Sequence, residues 1–556
     1  MIYGNGGVAL DKNKQKKQES EVNGFMSGVA LLSLSTLVVK LIGLAFKIPM
    51  LSFLGTEGMG YFNSAYEIYS LFYILATAGL PIAVSILVAE CGDAAQTDLR
   101  ASERVFRVAL IMFSALGALG GTVLLFGARP LAELIENSGA ALCIAAISPM
   151  AVFICLSSAV RGYFQGKQDM VPTAVSQIIE AGGKLVLGFL PAALALKMGR
   201  TVEETAALAT LGMSVGAGIS ALYLAIAKFA RGRRSTNVII SANPYLIRQN
   251  VAKRLLRVAF PITVSATVMS LTRVIDLLMI MHRLQSIGYT ESAANSIYGS
   301  YSTLAVSMFN LPASLVTPIA LSLVPSITSA VKEGNKTREL DTLDRALKLC
   351  GFITIPASLG LSVFARPILE LVFYGETDSI NVAAPLLSVL GISVFFSCIM
   401  TVTNSALQAY GKERKPIISM LIGATVKTAT SYILIGIPSL NVYGAPISTL
   451  VCSLTVAAIN MSFLKKCASG VGSADKLFLK TLAAAIVSIG SGGAVYALLY
   501  GMIGKSILLT AASIAASGVG FVFLSFRFGA IDRSDILSMP LGEKIYKILI
   551  KTRLIK

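Results

Sequence analysis

Residues 139–160 read GAALCIAAISPMAVFICLSSAV, 22 positions without a charge. As an α-helix such a run rises about 33 Å, enough to cross the roughly 30 Å hydrocarbon core of a bilayer. It lacks the period-two alternation of a barrel strand, which argues against a β-barrel. Working outward, similar runs recur near 26–51, 61–89, 105–127, 172–196, 205–228, 257–281, 297–330, 348–372, 382–409, 416–437, 442–464, 479–501 and 505–527. The pattern predicts an all-α polytopic membrane protein with about 14 transmembrane helices. Composition agrees. Of 556 residues, 55% are hydrophobic and 14% charged, against roughly 25% charged in a soluble domain. The mean hydropathy is +0.74.

The net charge of +18, from 47 Lys+Arg against 29 Asp+Glu, invites a nucleic-acid reading until the charges are placed. With the N-terminus inside and sides alternating, 36 of the 47 basic residues fall on inside segments, six on outside loops and five within spans. That bias is the positive-inside pattern, and it predicts a multi-pass protein of the cytoplasmic membrane with both termini inside. The richest cluster, Lys228 to Arg257 with Arg231, Arg233 and Arg234, has no interleaved aromatics. It reads as topology and attraction to anionic membrane lipids, with no nucleic acid implied. Residues 1–25 are polar, carry Lys12, Lys14, Lys16 and Lys17, show no signal-cleavage pattern, and read as a disordered cytoplasmic tail. Near the other end, Lys544, Lys547 and Lys551 beside Ile545, Ile548 and Leu549 suggest an interfacial amphipathic helix.

Rare residues bound the chemistry. A single histidine, His282, cannot build a histidine metal site and gives a catalytic triad little to draw on. The seven cysteines have no C-x-x-C spacing and read as small buried hydrophobes. No phosphate-binding G-x-x-x-x-G-K-[ST] loop is present. The expectation is no enzyme, no cofactor and no metal. Glycines such as Gly182 and Gly183 are expected to serve close helix packing.

An internal repeat organises the chain. Leu80-Pro81-Ile82-Ala83-Val84-Ser85 matches Thr317-Pro318-Ile319-Ala320-Leu321-Ser322 at an offset of 237, which also pairs Tyr61 with Tyr298 and Ser70 with Ser307. Gly166-Lys167 before Pro172 matches Gly411-Lys412 before Pro416, and each proline is followed by an in-span lysine, Lys184 or Lys427. The division expected is a tail (1–25), an N-lobe of six helices (26–229), a basic linker (230–256), a C-lobe of six helices (257–466), a terminal helix pair (477–528) and a cytoplasmic segment (529–556). Two pseudo-symmetric lobes of this kind suit alternating access.

Eight ionisable residues fall within spans: Lys40, Lys47, Glu67, Glu180, Lys184, Arg273, Asp276 and Lys427. Each costs at least ~2.5–3.5 kcal/mol at a helix centre, which implies a polar interior. Glu180 and Lys184 are spaced i,i+4, and Arg273 and Asp276 i,i+3, so these pairs could neutralise one another. Lys40, Lys47 and Lys427 have no such local partner, and Lys47 near Pro49 could snorkel. Five basic against three acidic groups favour an anionic ligand. Pro81, and Pro312, Pro318 and Pro325, are expected to interrupt spans two and eight and to act as kinks or gates.

The stretches Lys40-Leu41-Ile42-Gly43, Leu54-Gly55-Thr56-Glu57-Gly58-Met59-Gly60-Tyr61, Ala78 to Ser85, Val88-Ala89-Glu90 and Arg161-Gly162-Tyr163-Phe164-Gln165-Gly166 resemble the stage V sporulation protein B group. That group lies in the polysaccharide-exporter branch of the multidrug/oligosaccharidyl-lipid/polysaccharide flippase superfamily, a relative of the lipid II flippases. The resemblance covers spans one to twelve and reads the last of these runs as a loop after span four. It implies a two-lobed transporter that moves a lipid-linked, diphosphate-bearing sugar across the cytoplasmic membrane for cell-wall or polysaccharide synthesis. It also implies a groove for the lipid tail at helices thirteen and fourteen, and matches Lys40 to a basic residue of the first helix. On this reading Lys40, Lys47, Lys184, Arg273 and Lys427 bind the diphosphate, while Glu67, Glu180 and Asp276 tune them or couple an ion. One departure is Ser307, five residues before Pro312, where the lipid II branch often has arginine. Two alternatives stay open: a cation-coupled multidrug exporter of the same fold, and a non-transporting scaffold for cell-wall biosynthesis proteins.

Overall fold

The computed structural model describes residues 6–91, 99–232, 251–468, 470, 472, 474–503 and 506–530. These residues form α-helices without a strand: α1 Gly6–Thr77, α2 Leu80–Glu90, α3 Leu99–Phe126, α4 Ala128–Leu134, α5 Ala141–Gly166, α6 Val171–Lys197, α7 Val202–Gly232 and α8 Val251–Ser286. After these come α9 Glu291–Ser300, α10 Val306–Lys332, α11 Lys336–Val363, α12 Ala365–Val372, α13 Thr377–Ala409, α14 Arg414–Ile435, α15 Gly444–Cys467, α16 Ala474–Ile503 and α17 Ile507–Arg527.

Among the described residues, 13 helical stretches are long and apolar enough to cross a membrane. The first, Val38–Glu90, is 53 residues long. As one helix it would rise about 80 Å, far beyond a single crossing. It is broken at Gly55, whose φ of 64° and ψ of −177° are open only to a residue without Cβ. Split there, it supplies the two spans that the sequence places at 26–51 and 61–89.

Internal contacts divide the chain into two units. The first comprises Met1–Pro49, Ala65–Ala132 and Ser138–Ser270. Within it α2 and α3 pack on α5, α5 packs on α7, and α6 packs on α7. The second comprises Met50–Ser64, Glu133–Asn137 and Leu271–Lys556. There α10 and α11 pack on α13, α13 packs on α15, and α14 packs on α15. One packing order is thus used twice. The terminal pair α16–α17 docks on α11 through Ile355, Phe364, Ala484, Ala485, Ile489 and Phe521. The short helices α4 and α12 reveal a further repeat: Ala128-Arg129-Pro130 with Glu133-Leu134, and Ala365-Arg366-Pro367 with Glu370-Leu371, again 237 apart.

Close packing of α6 on α7 rests on glycine. A Cβ on Gly183 would lie 2.7 Å from the Gly216 Cα, and one on Gly212 would overlap the Leu187 carbonyl. Gly182, expected to share this role, has nothing within 4 Å of its Cβ position.

Other expectations are corrected. Residues 6–25 are helical, continuous with α1, because Lys, Gln and Glu are good helix formers. The second span is interrupted next to Pro81, as expected: α1 ends at Thr77, and Pro81 lies in the first turn of α2, where its missing N–H costs nothing. Pro312, Pro318 and Pro325, by contrast, do not interrupt the eighth span, since α10 runs through all three. Ser314 and Thr317 there donate to the carbonyls of Leu311 and Ala313. All seven cysteines are free, five of them buried. The Lys544–Lys551 segment, Arg233 and Arg234 lie outside the described residues.

Candidate functional site

The first unit holds a buried charge cluster built on α5, α6 and α7. Glu180 on α6 accepts from Lys184, one turn later, at 2.8 Å and from Arg161 on α5 at 2.9 Å. Arg161 also donates to Ser176 at 2.9 Å and to Ser220 of α7 at 3.4 Å. Ser220 in turn donates to the Ser176 carbonyl at 2.8 Å. The side chains of Arg161 and Glu180 are 7% and 8% exposed. One carboxylate thus holds two cations, and the cluster carries a net positive charge.

A row of tyrosines on α1 faces this cluster. Tyr66, Tyr69 and Tyr73, spaced as neighbours on one helix face, have successive ring centroids 6.0 Å apart. Glu180 acts electrostatically on Tyr69 and Tyr73, and Lys184 feels Tyr66 and Tyr73. The Tyr69 hydroxyl is fully buried and has no hydrogen-bond partner among the described residues. An orphaned buried hydroxyl costs about 1–3 kcal/mol, which marks the place as more than packing. Lys47 and Glu67, both half-buried on α1, are electrostatic neighbours. Ser70 bridges from the Glu67 carbonyl, at 2.7 Å, to the Ser270 hydroxyl, at 2.9 Å.

The second unit has its own pair. Lys427 on α14 donates to Asp276 on α8 at 2.6 Å, with side chains 6% and 13% exposed. Lys427 therefore has a partner, 151 positions away, that local spacing did not offer. Tyr301 is an electrostatic neighbour of Asp276. It opens a π-helical turn, Tyr301–Ala305, a distortion often found at functional sites. Lys184 and Lys427 sit on α6 and α14, equivalent members of the repeated packing order.

The remaining predicted residues are more dispersed. Lys40 on α1 and Arg273 on α8 are both exposed. Sequence reasoning missed Arg161. The run 161–166 was expected to be a loop, but it is the last part of helix α5, with Arg161 buried. Its Gly, Tyr and Gln dilute the apolar signal, although the helix continues to Gly166. The tyrosine row was also missed, and its i, i+3, i+7 spacing was the available clue.

A family model described as polysaccharide biosynthesis protein matches residues 25–331, more than half of the chain. The chain belongs to that family. A second model, MatE, matches residues 261–433. Among curated relatives, stage V sporulation protein B of Bacillus subtilis (strain 168) is 27% identical over 451 residues, covering 80% of this chain and 84% of that protein. Lipid II flippase MurJ of the same organism is 24% identical over 419 residues, covering 72% and 76%. A solved structure of lipid II flippase MurJ, in an inward closed conformation, matches with a TM-score of 0.67 at 16% identity, over 90% of this chain and 98% of that one. At that identity the likeness is one of fold. Family and fold together make this a polytopic helical membrane protein of the multidrug/oligosaccharidyl-lipid/polysaccharide superfamily.

Proposed function

We propose that the protein is a flippase for a lipid-linked oligosaccharide carrying a diphosphate, with lipid II the favoured cargo, moved across the cytoplasmic membrane by alternating access. The observation that carries this reading is the cluster around Glu180. Two cations on one buried carboxylate leave positive charge in an enclosed, hydroxyl-rich setting, which suits a phosphate and repels a cation. Relatives named as lipid II flippases support the cargo class. In this reading Lys40, Lys47, Lys184 and Arg273 steer the diphosphate, Glu67 and Glu180 hold those cations until it arrives, and the Lys427–Asp276 pair governs the movement of its helices. The break before Pro81 is where the second span hinges as access alternates.

Flipping of defined lipid-linked sugars by the purified protein in liposomes tests the reading directly. Transport of a diphosphate-linked sugar is expected, and no movement of any such lipid would overturn it. In cells depleted of their own flippase, Lys40→Ala and Lys40→Glu should fail to complement while remaining in the membrane. Full complementation by both removes Lys40 from the site.

The MatE match over residues 261–433 favours one second reading, a cation-coupled exporter. That reading requires dye efflux dependent on Glu67 or Asp276.

A further inference from the structure

A cavity of about 950 Å³ opens in the first unit between α3, α5 and α7, lined by none of the residues of the Glu180 cluster. Its volume is at the upper end of the roughly 300–1,000 Å³ common for ligand sites. Polarity changes along it in the same direction on all three helices. On α7, Gly218, Ala221 and Ala225 give way to Lys228 and Arg231; on α5, Phe153 and Leu156 give way to Tyr163 and then Lys167; on α3, Leu110 and Phe106 give way to Glu103. From Gly218 to Lys228 the helix rises about 15 Å, the depth of one bilayer leaflet. Small residues on α7 leave a smooth apolar floor.

The rim has three cations and two carboxylates. Lys228 pairs with Glu103 at 2.5 Å and Arg231 with Asp169 at 3.2 Å. Lys167 is the charge in excess, lying over the Tyr163 ring at 4.7 Å. Burial, and then repulsion from Lys228, hold the Lys167 ammonium below the ordinary lysine range. An anion at the rim would offset that repulsion. We infer that this groove is a binding site for an anionic phospholipid of a single leaflet, with its phosphate at Lys167 and Lys228 and one acyl chain along Phe106, Leu110, Phe153 and Leu222. The excess of basic residues on the same side of the membrane places it in the cytoplasmic leaflet. An amphiphile is the occupant that matches charge at one end and an apolar wall one leaflet deep.

Native mass spectrometry of the whole protein, with equal phosphatidylglycerol and phosphatidylcholine of matched chains, tests this inference. The wild type should retain one phosphatidylglycerol in preference to phosphatidylcholine. Lys167→Gln should reduce that preference roughly fivefold, the usual effect of one cation near an anionic lipid surface. Ala225 is exposed, so Ala225→Phe fills the groove without touching the core and should abolish the retained lipid. Equal retention of the two lipids, or retention unchanged in both variants, would overturn the site. So would competition by inorganic phosphate alone, since the acyl chain would then be irrelevant. Both variants must elute as monodisperse protein. If Lys167→Gln does not, Lys167→Arg, which keeps the charge, should retain the preference.

Discussion

Glu180→Gln is the most informative single change, because it removes one charge and strands two. Arg161 and Lys184 lose their only described carboxylate, and Ser176 and Ser220 offer Arg161 only neutral oxygens. Breaking a buried ion pair by removing one partner costs about 3–5 kcal/mol. For a unit of about 200 residues, each kcal/mol shifts the melting midpoint by roughly 2–4 °C, so a drop near 10 °C is expected. Fluorescence-detected thermal unfolding in detergent reads this directly. A midpoint within about 2 °C of wild type would refute the claim that Glu180 balances two buried cations. The triple change Arg161→Met, Glu180→Leu and Lys184→Leu removes all three charges together. Replacement of a buried ionic group by apolar residues of similar volume is commonly neutral or stabilising, so this protein should melt near wild type or above. Ser176 and Ser220 keep their own acceptors, the carbonyls of Thr173 and Ser176. If the cluster receives the diphosphate, the triple variant is folded and inactive in liposomes, with flipping at least tenfold slower. A folded triple variant that flips at the wild-type rate would assign the cluster to stability alone.

Other outcomes follow from the same geometry. Lys427→Met should destabilise by about 3–5 kcal/mol, and the double variant Lys427→Met with Asp276→Asn should recover most of it; a double-mutant cycle without coupling in thermal unfolding would contradict the 2.6 Å pair. Gly212→Ala forces a methyl onto the Leu187 carbonyl and should cost about 1–3 kcal/mol or more, seen as lower yield of monodisperse protein, whereas Gly182→Ala should be silent. Asn295 bonds the Glu57 carbonyl and Asn137, each at 2.8 Å, in a buried network of the second unit. Asn295→Ala should therefore lower stability by roughly 2–4 kcal/mol in the same unfolding assay, and no change would show that the network contributes nothing.

Much of the fold was legible because spans are set by one property, apolar length, which needs no partner to be read. The break at Gly55 and the doubled packing order were likewise present in glycine placement and in the offset of 237. The site was less legible for a physical reason. Glu180 and Lys184 are one turn apart, so helical spacing pairs them. Arg161 reaches Glu180 from another helix, and Asp276 meets Lys427 across 151 positions, so only tertiary packing pairs these groups. Helical spacing offers Asp276 only Arg273, three positions earlier, and cannot point to Lys427. Proline was read correctly in the second span, which breaks just before Pro81, and overread in the eighth. It deletes one hydrogen bond, but α10 runs on through three prolines because the remaining ladder holds it.

The two lysines on equivalent helices are held differently, Lys184 by a carboxylate of its own helix and Lys427 by one of another, and this separates their roles. Lys427 donates to Asp276 from another helix, and that bond lasts only while α8 and α14 stay in register. Lys184 shares its carboxylate with Arg161, and an anion entering there meets a surplus cation without first breaking a bond. Headgroup binding should therefore depend on the first unit's cluster. The second unit's pair should instead affect how readily the helices that carry it shift. Changing Lys184 should weaken retention of a diphosphate-linked lipid in a binding assay. Changing Lys427 together with Asp276 should leave that retention intact and alter the flipping rate. Equal loss of binding in both would mean that the two pairs form parts of a single site.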